Sequence, residues 1–85
     1  MRLDWLITFR SITFAQRGER SLQKMGMETK LSRTPKALAQ RGCGYCLYVS
    51  AGYAPVAVEL LRNEEIPFVA VYGPGRQGTL EQRLL

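Results

Sequence analysis

An α+β domain with the element order βαββαβ is predicted by three features of this 85-residue sequence. Two stretches carry apolar residues at helical spacing. Four short runs are rich in β-forming residues. Glycine or proline punctuates most of the boundaries between them. The length is that of one domain. A chain this short buries only about 60–65 % of the surface it exposes when unfolded, so its core is thin and a homo-oligomer is one way to add to it.

Each element has a local reason. Residues 4–9, ending Trp5, Leu6, Ile7, Thr8, Phe9, form strand one, with Trp5, Ile7 and Phe9 on one parity and Leu6 and Thr8 on the other. Ser11 or Thr13 can cap the following helix, which runs to about Met25. Phe14, Gly18, Leu22 and Met25 share one face of it, and Gly18 lets that face sit close to the sheet. Gly26 is placed to end the helix in a left-handed cap. Residues 27–32 alternate, with Met27, Thr29 and Leu31 against Glu28, Lys30 and Ser32, which predicts a half-buried strand two. Thr34 and Pro35 stop it, because proline donates no ladder hydrogen bond. Residues 36–40 suit one helical turn, and strand three runs from about Gly44 to Val49. After a loop at Ser50, Ala51 and Gly52, Pro55 suits the first turn of a helix reaching about Glu64. Val58, Leu61 and either Ala57 or Leu60 face inward on it, while Glu64 and Glu65 are solvated. Pro67 opens strand four, residues 68–72, and Gly73, Pro74 and Gly75 break it. The glycine-rich stretch from Gly73 to Gly78 opens no helix, so it reads as a linker rather than a phosphate loop. The domain therefore spans 1–74, and residues 75–85 are expected to form a flexible basic tail.

Each βαβ unit favours a right-handed crossover. The compact solution is a four-stranded antiparallel sheet with both helices on one face, the ferredoxin-like arrangement. The other sheet face is then open to a ligand, a partner or a second subunit. Parity in strand three sends Tyr45, Leu47 and Val49 toward the helices and Cys46, Tyr48 and Ser50 to the open face.

Composition narrows the function. The net charge is +5, from nine Arg and three Lys against seven acids, spread along the chain. That allows an anionic partner without specifying one. The longest apolar runs are far below the ~20 residues that span a membrane. The first residues also lack the apolar core of a signal peptide, so a cytoplasmic protein with reduced thiols is expected. There is no histidine, hence no imidazole base and no Ser-His or Cys-His pair. No cofactor is implied.

Chemistry concentrates in residues 41–49. Cys43-Gly44-Tyr45-Cys46 is a C-x-x-C, with three chemical readings. A dithiol redox pair needs a sharp turn, because residues three apart on a strand lie ~10 Å apart, beyond the ~7 Å limit for a disulfide. A zinc site needs four ligands and the chain offers two sulfurs, so only a dimer sharing both pairs would make one. The third reading is a single working thiol, Cys43, at the mouth of strand three. Gly42 and Gly44 leave its sulfur open, and Arg41, Lys36 and Arg33 favour its anionic form. Such a thiol can accept a sulfur or selenium atom and pass it on. Against all three stands simple packing, in which unpaired cysteines act as small core residues; it weighs more for Cys46, in mid-strand. Residues 41–48 also follow the RNA-binding RNP1 pattern at its first, second, fourth, fifth and eighth positions. Cys43 stands where a base-stacking aromatic belongs, and that function would require Tyr45 on the wet face.

The strand at Trp5 to Ser11, the helix ending at Gly26, the Thr34-Pro35 step followed by Lys36, and the Cys43-Gly44 pair before an apolar strand form a pattern. The final helix and strand complete it with residues 56–64 and 66–72. Over residues 5 to about 72 the chain resembles the selenium/sulfur (Se/S) carrier protein-like family of small bacterial domains. The resemblance implies a βαββαβ domain with Cys43 as carrier thiol. Cys46 departs from the family pattern and is a candidate resolving thiol. The expectation is a sulfur or selenium relay through a persulfide or selenosulfide at Cys43, shaped by Gly42 and Gly44 and supported by Arg41 and Lys36. It would work with a donor such as a cysteine desulfurase and with an acceptor protein, rather than as a stand-alone enzyme. A homodimer through the open sheet face is a further expected partner. The alternatives are an RNA-binding module, a dithiol redox module and a regulatory interaction domain.

Overall fold

The computed structural model describes residues 2–39 and 44–85. The elements are β1 (Trp5–Phe9), α1 (Ile12–Lys24), β2 (Lys30–Arg33), β3 (Tyr45–Val49), α2 (Ala54–Asn63), β4 (Ala70–Pro74) and β5 (Leu80–Arg83). Short 3₁₀ turns occupy Lys36–Leu38 and Arg76–Gly78. The strands make one antiparallel sheet in the order β2-β3-β1-β4-β5. The α+β class, the two helices and the antiparallel sheet agree with the sequence-based expectation. The strand count does not: the sheet has five strands, not four.

The fifth strand lies where a flexible tail was expected. Val71 to Pro74 pair with Arg83 to Leu80, closed by a turn in which Gly78 adopts φ 77, a conformation that favours glycine. Gly75 N–H donates to Thr79 O at 2.6 Å, and Thr79 Oγ1 donates to Arg76 O at 2.7 Å. Consequently Gly73 and Pro74 extend β4 instead of breaking it. Gly73 is required by packing, since a Cβ there would lie 2.9 Å from the Trp5 ring. The Arg83 guanidinium stacks on the same ring, 5.6 Å from its centroid, and donates to Pro74 O. Trp5, Gly73 and Arg83 thus tie three strands together.

The core lies between the helices and one sheet face. Ile7, Phe9, Leu47, Val49 and Val71 meet Ala15, Leu22, Ala57, Val58 and Leu61. Gly18 is buried against the sheet, and a Cβ there would come within 3.2 Å of Phe9, Leu47 and Leu61. The predicted close approach of α1 is therefore observed. Of the two candidates on α2, Ala57 is buried and Leu60 only partly so. On α1 the predicted face ends at Leu22, because Met25 is the C-cap and is 63 % exposed. Met27 fills that place in the core.

Both helices end in the same way. Gly26 N–H donates to Gln23 O and Met27 N–H to Leu22 O. Glu65 N–H donates to Arg62 O and Ile66 N–H to Leu61 O. These are paired Schellman-type closures, one on Gly26 at φ 80 and the other on Glu65 at φ 57. The first closure commits Met27 to the helix end, so β2 begins at Lys30 rather than at residue 27. Similarly β4 begins at Ala70, two residues later than predicted, although Val69 N–H already donates to Thr8 O at 2.8 Å. Ser11 is the N-cap of α1, its Oγ accepting from Phe14 N–H.

Candidate functional site

Antiparallel pairing brings the end of β2, the start of β3 and the end of β1 to one end of the sheet. Arg33 faces Tyr45, and Tyr45 faces Phe9. Residues 34–44 connect β2 to β3 and are pinched at their base, where Thr34 N–H donates to Gly44 O at 3.1 Å. The Arg33 guanidinium lies over the Tyr45 ring, 5.7 Å from its centroid. A basic side chain is therefore held at the mouth of β3.

Of the residues singled out from the sequence, Arg41, Gly42 and Cys43 lie outside the described residues. Gly44 is described, and a Cβ on it would meet nothing within 4 Å among the described residues. Among those residues, neither packing nor a positive φ requires a glycine at this position. Lys36 opens the 3₁₀ turn and is exposed. Pro35 precedes it as the N-cap, which agrees with a helical turn after the Thr-Pro step.

Cys46 has a different setting. It lies on β3 between Thr8 and Ser32, on the face away from the helices, as its parity predicts. That face is not open at this point: Leu6, Thr8 and Cys46 are all essentially inaccessible. The Cys46 thiol donates to Arg33 O at 3.8 Å. Burial pushes its pKa up to about 11, an effect tempered by the neighbouring Thr34 and Tyr48 hydroxyls. At neutral pH it is a protonated thiol and a weak nucleophile. Tyr48 is shifted upward too, first by burial and then by the adjacent Cys46.

Thr34 and Tyr48 are the site neighbours that sequence reasoning missed. Thr34 was read as a strand stop, yet its side chain is buried and its Oγ1 has no well-formed hydrogen bond among the described residues. Its signal was present in the Thr34-Pro35 step, but only pairing of β2 with β3 shows that this step lies beside Cys46. Tyr48, Lys30, Ser32 and Leu3 line a hollow of about 400 Å³ on the same face. The aromatic residues of this face are Tyr48 and Tyr72, whereas Tyr45 packs with the core cluster. The RNP1 alignment needs Tyr45 on the wet face, so the sheet presents the wrong parity for it.

Among the described residues, no group of three or more histidines, cysteines or acids could hold a metal ion. No helix among them is long and apolar enough to cross a membrane. Among the described residues, the arrangement offers a basic strand mouth where Arg33 lies over Tyr45, and a buried Cys46 thiol on the other face of β3.

Residues 4–73 match the family model described as "Putative Se/S carrier protein-like". The match takes in β1 to β3, both helices, the 34–44 connection and most of β4, and ends before β5. No curated protein and no solved structure matches the chain.

Proposed function

Because the chain belongs to the Se/S carrier protein-like family, we propose that it relays sulfur or selenium in the cytoplasm through Cys43. The family match across residues 4–73 carries this reading, since it encloses the whole Cys-Gly approach to β3. Two features of the site support it. A Cβ on Gly44 would meet no atom of the described residues within 4 Å. Arg33 and Lys36 flank the connection with positive charge, which favours an anionic sulfur. The strand order β2-β3-β1-β4 supports a ferredoxin-like βαββαβ unit, with β5 added at its edge.

In the proposed reaction the Cys43 thiolate attacks the outer sulfur of a donor persulfide. The Cys43 sulfur–sulfur bond forms, the donor's bond breaks, and the donor thiolate leaves with the electron pair. An acceptor thiolate then takes the outer sulfur from Cys43 in the same way, with no net oxidation. The donor would be a desulfurase carrying its own persulfide. Cys46 does not resolve this persulfide in the proposed reaction, because a buried thiol with a pKa of about 11 supplies little thiolate. It packs the sheet instead.

Intact-protein mass spectrometry after incubation with cysteine and a desulfurase tests this. Wild type and Cys46→Ser are expected to gain the mass of one sulfur, and Cys43→Ser to gain none. Retention of the adduct in Cys43→Ser would overturn the assignment.

A further inference from the structure

A second surface shares the end of the sheet where β3 begins. Val69 N–H bonds to Thr8 O, beside the Phe9–Tyr45 pair, so the start of β4 lies two strands from the start of β3. Strands are spaced ~4.8 Å apart, which puts the two strand starts ~10 Å from each other. Around Phe68 and Val69 the surface forms two adjoining hollows. One, of about 60 Å³, is lined by Arg10, Phe14, Pro67, Phe68 and Val69. The other, of about 160 Å³, continues from Phe68 and Val69 past Arg62 toward Val71 and Leu84. Phe68 and Val69 belong to both, so they form a single apolar trough with Arg10 on one side and Arg62 on the other.

Neither lining contains an Asp or Glu side chain, and the second hollow also includes Arg83 and, at its far end, the last residue Leu85. Glu64, two residues after Arg62, is engaged elsewhere, accepting a hydrogen bond from Ser21 on α1. Val69 is 39 % exposed, and Ile12, two residues after Arg10, is 42 % exposed. The patch is thus apolar at its centre and cationic at both rims, which is the complement of a segment with apolar side chains between carboxylates. A nucleic-acid strand fits less well. Its bases need an aromatic face to stack on, and the Phe68 ring is already covered by the Arg62 guanidinium, 5.6 Å from the centroid.

We propose that the Arg10–Phe68–Val69–Arg62 trough is the docking surface for an acidic, amphipathic segment of a partner protein. That the partner is the chalcogen donor or acceptor rests on the carrier reading; the binding itself does not. Docking here would bring the partner's reactive group to the same end of the sheet as the mouth of β3.

The test is a titration of the isotope-labelled full chain with a short synthetic peptide in which glutamates alternate with leucines, followed by amide NMR shifts. Shifts are expected to cluster at Arg10, Phe14, Arg62, Phe68 and Val69. Arg10→Glu and Arg62→Glu are each expected to weaken binding about tenfold, with the amide spectrum otherwise retained because both side chains are exposed. Three results would overturn the proposal. They are equal affinity for the peptide with serine in place of leucine, tighter binding of a single-stranded oligonucleotide to the same residues, and absence of peptide shifts at the trough at low salt. Because no thiol is read, failure here is distinct from failure of the Cys43 mass assay.

Discussion

The two faces of the sheet are both buried near their centres, but by different means. On one, Ile7, Phe9, Leu47 and Val49 interlock with helix residues, and Gly18 draws α1 to within contact of three of the side chains in that layer. On the other, neighbouring strands supply the partners. Leu6 lies between Tyr48 and Tyr72 on the neighbouring strands, and Thr8 lies between Cys46 and Ala70, where its hydroxyl donates to Ala70 O at 3.3 Å. Around Leu47 the first face is large and apolar, whereas around Cys46 the second is built from the small or polar side chains of Thr8, Ser32 and Ala70. The contrast teaches that inaccessibility alone does not measure stabilisation. A buried leucine in an interlocked layer loses its transfer energy and leaves a cavity when truncated. A buried cysteine flanked by hydroxyls loses much less.

The largest expected effect follows from that contrast. Leu47→Ala should destabilise the fold by about 3 kcal/mol in denaturant unfolding, and Cys46→Ala, its neighbour in β3, by about 1 kcal/mol. Equal losses would show that the two faces are packed alike. Next, Gly73→Ala forces a Cβ to within 2.9 Å of the Trp5 ring, a rigid neighbour. It should cost about 1–3 kcal/mol and alter tryptophan fluorescence, because Arg83 stacks on the same ring. An unchanged spectrum and midpoint would mean that β5 is not held by this contact.

The smallest effect concerns pH. The Cys46 thiol titrates near 9 when unfolded and near 11 when folded. Between these values the unfolded chain has lost the proton that the folded chain keeps, so stability should fall as pH rises from about 9 to about 11. Cys46→Ala should flatten that slope. Alkylation of the native chain at pH 8 should likewise spare Cys46 until denaturant is added. Rapid native labelling at Cys46 would show that the second face opens readily.

How much of this was legible depends on how local each signal is. The Gly26 helix end, the Pro55 start and the β3 parity are all set within a few residues and were read correctly, and the α1 cap was narrowed to Ser11 or Thr13, of which Ser11 is the one used. The end of α2 was harder to read. It closes as α1 does, but on Glu65 rather than a glycine, so it carried no glycine signal. The fifth strand was hidden because Leu80–Arg83 is short and mostly polar, as an edge strand often is. The Thr34-Pro35 step and the Cys-Gly pair were visible as motifs, while the burial of Cys46 was not. Nothing in the alternation of β3 distinguishes an open face from a sealed one.

By itself the sequence determined the βαββαβ order, the inward faces of β3 and α2, and the family to which the chain belongs. The first two rest on spacing along the chain, which survives without knowledge of partners, and the family rests on the match of residues 4–73 to its model. Only the tertiary structure decided the fifth strand, the sealed environment of Cys46, and the meeting of Arg10, Arg62, Phe68 and Val69 around one trough. Those depend on which distant segments become neighbours. A thiol's pKa, a glycine's necessity and a surface's charge pattern are properties of such neighbours, not of the residue alone.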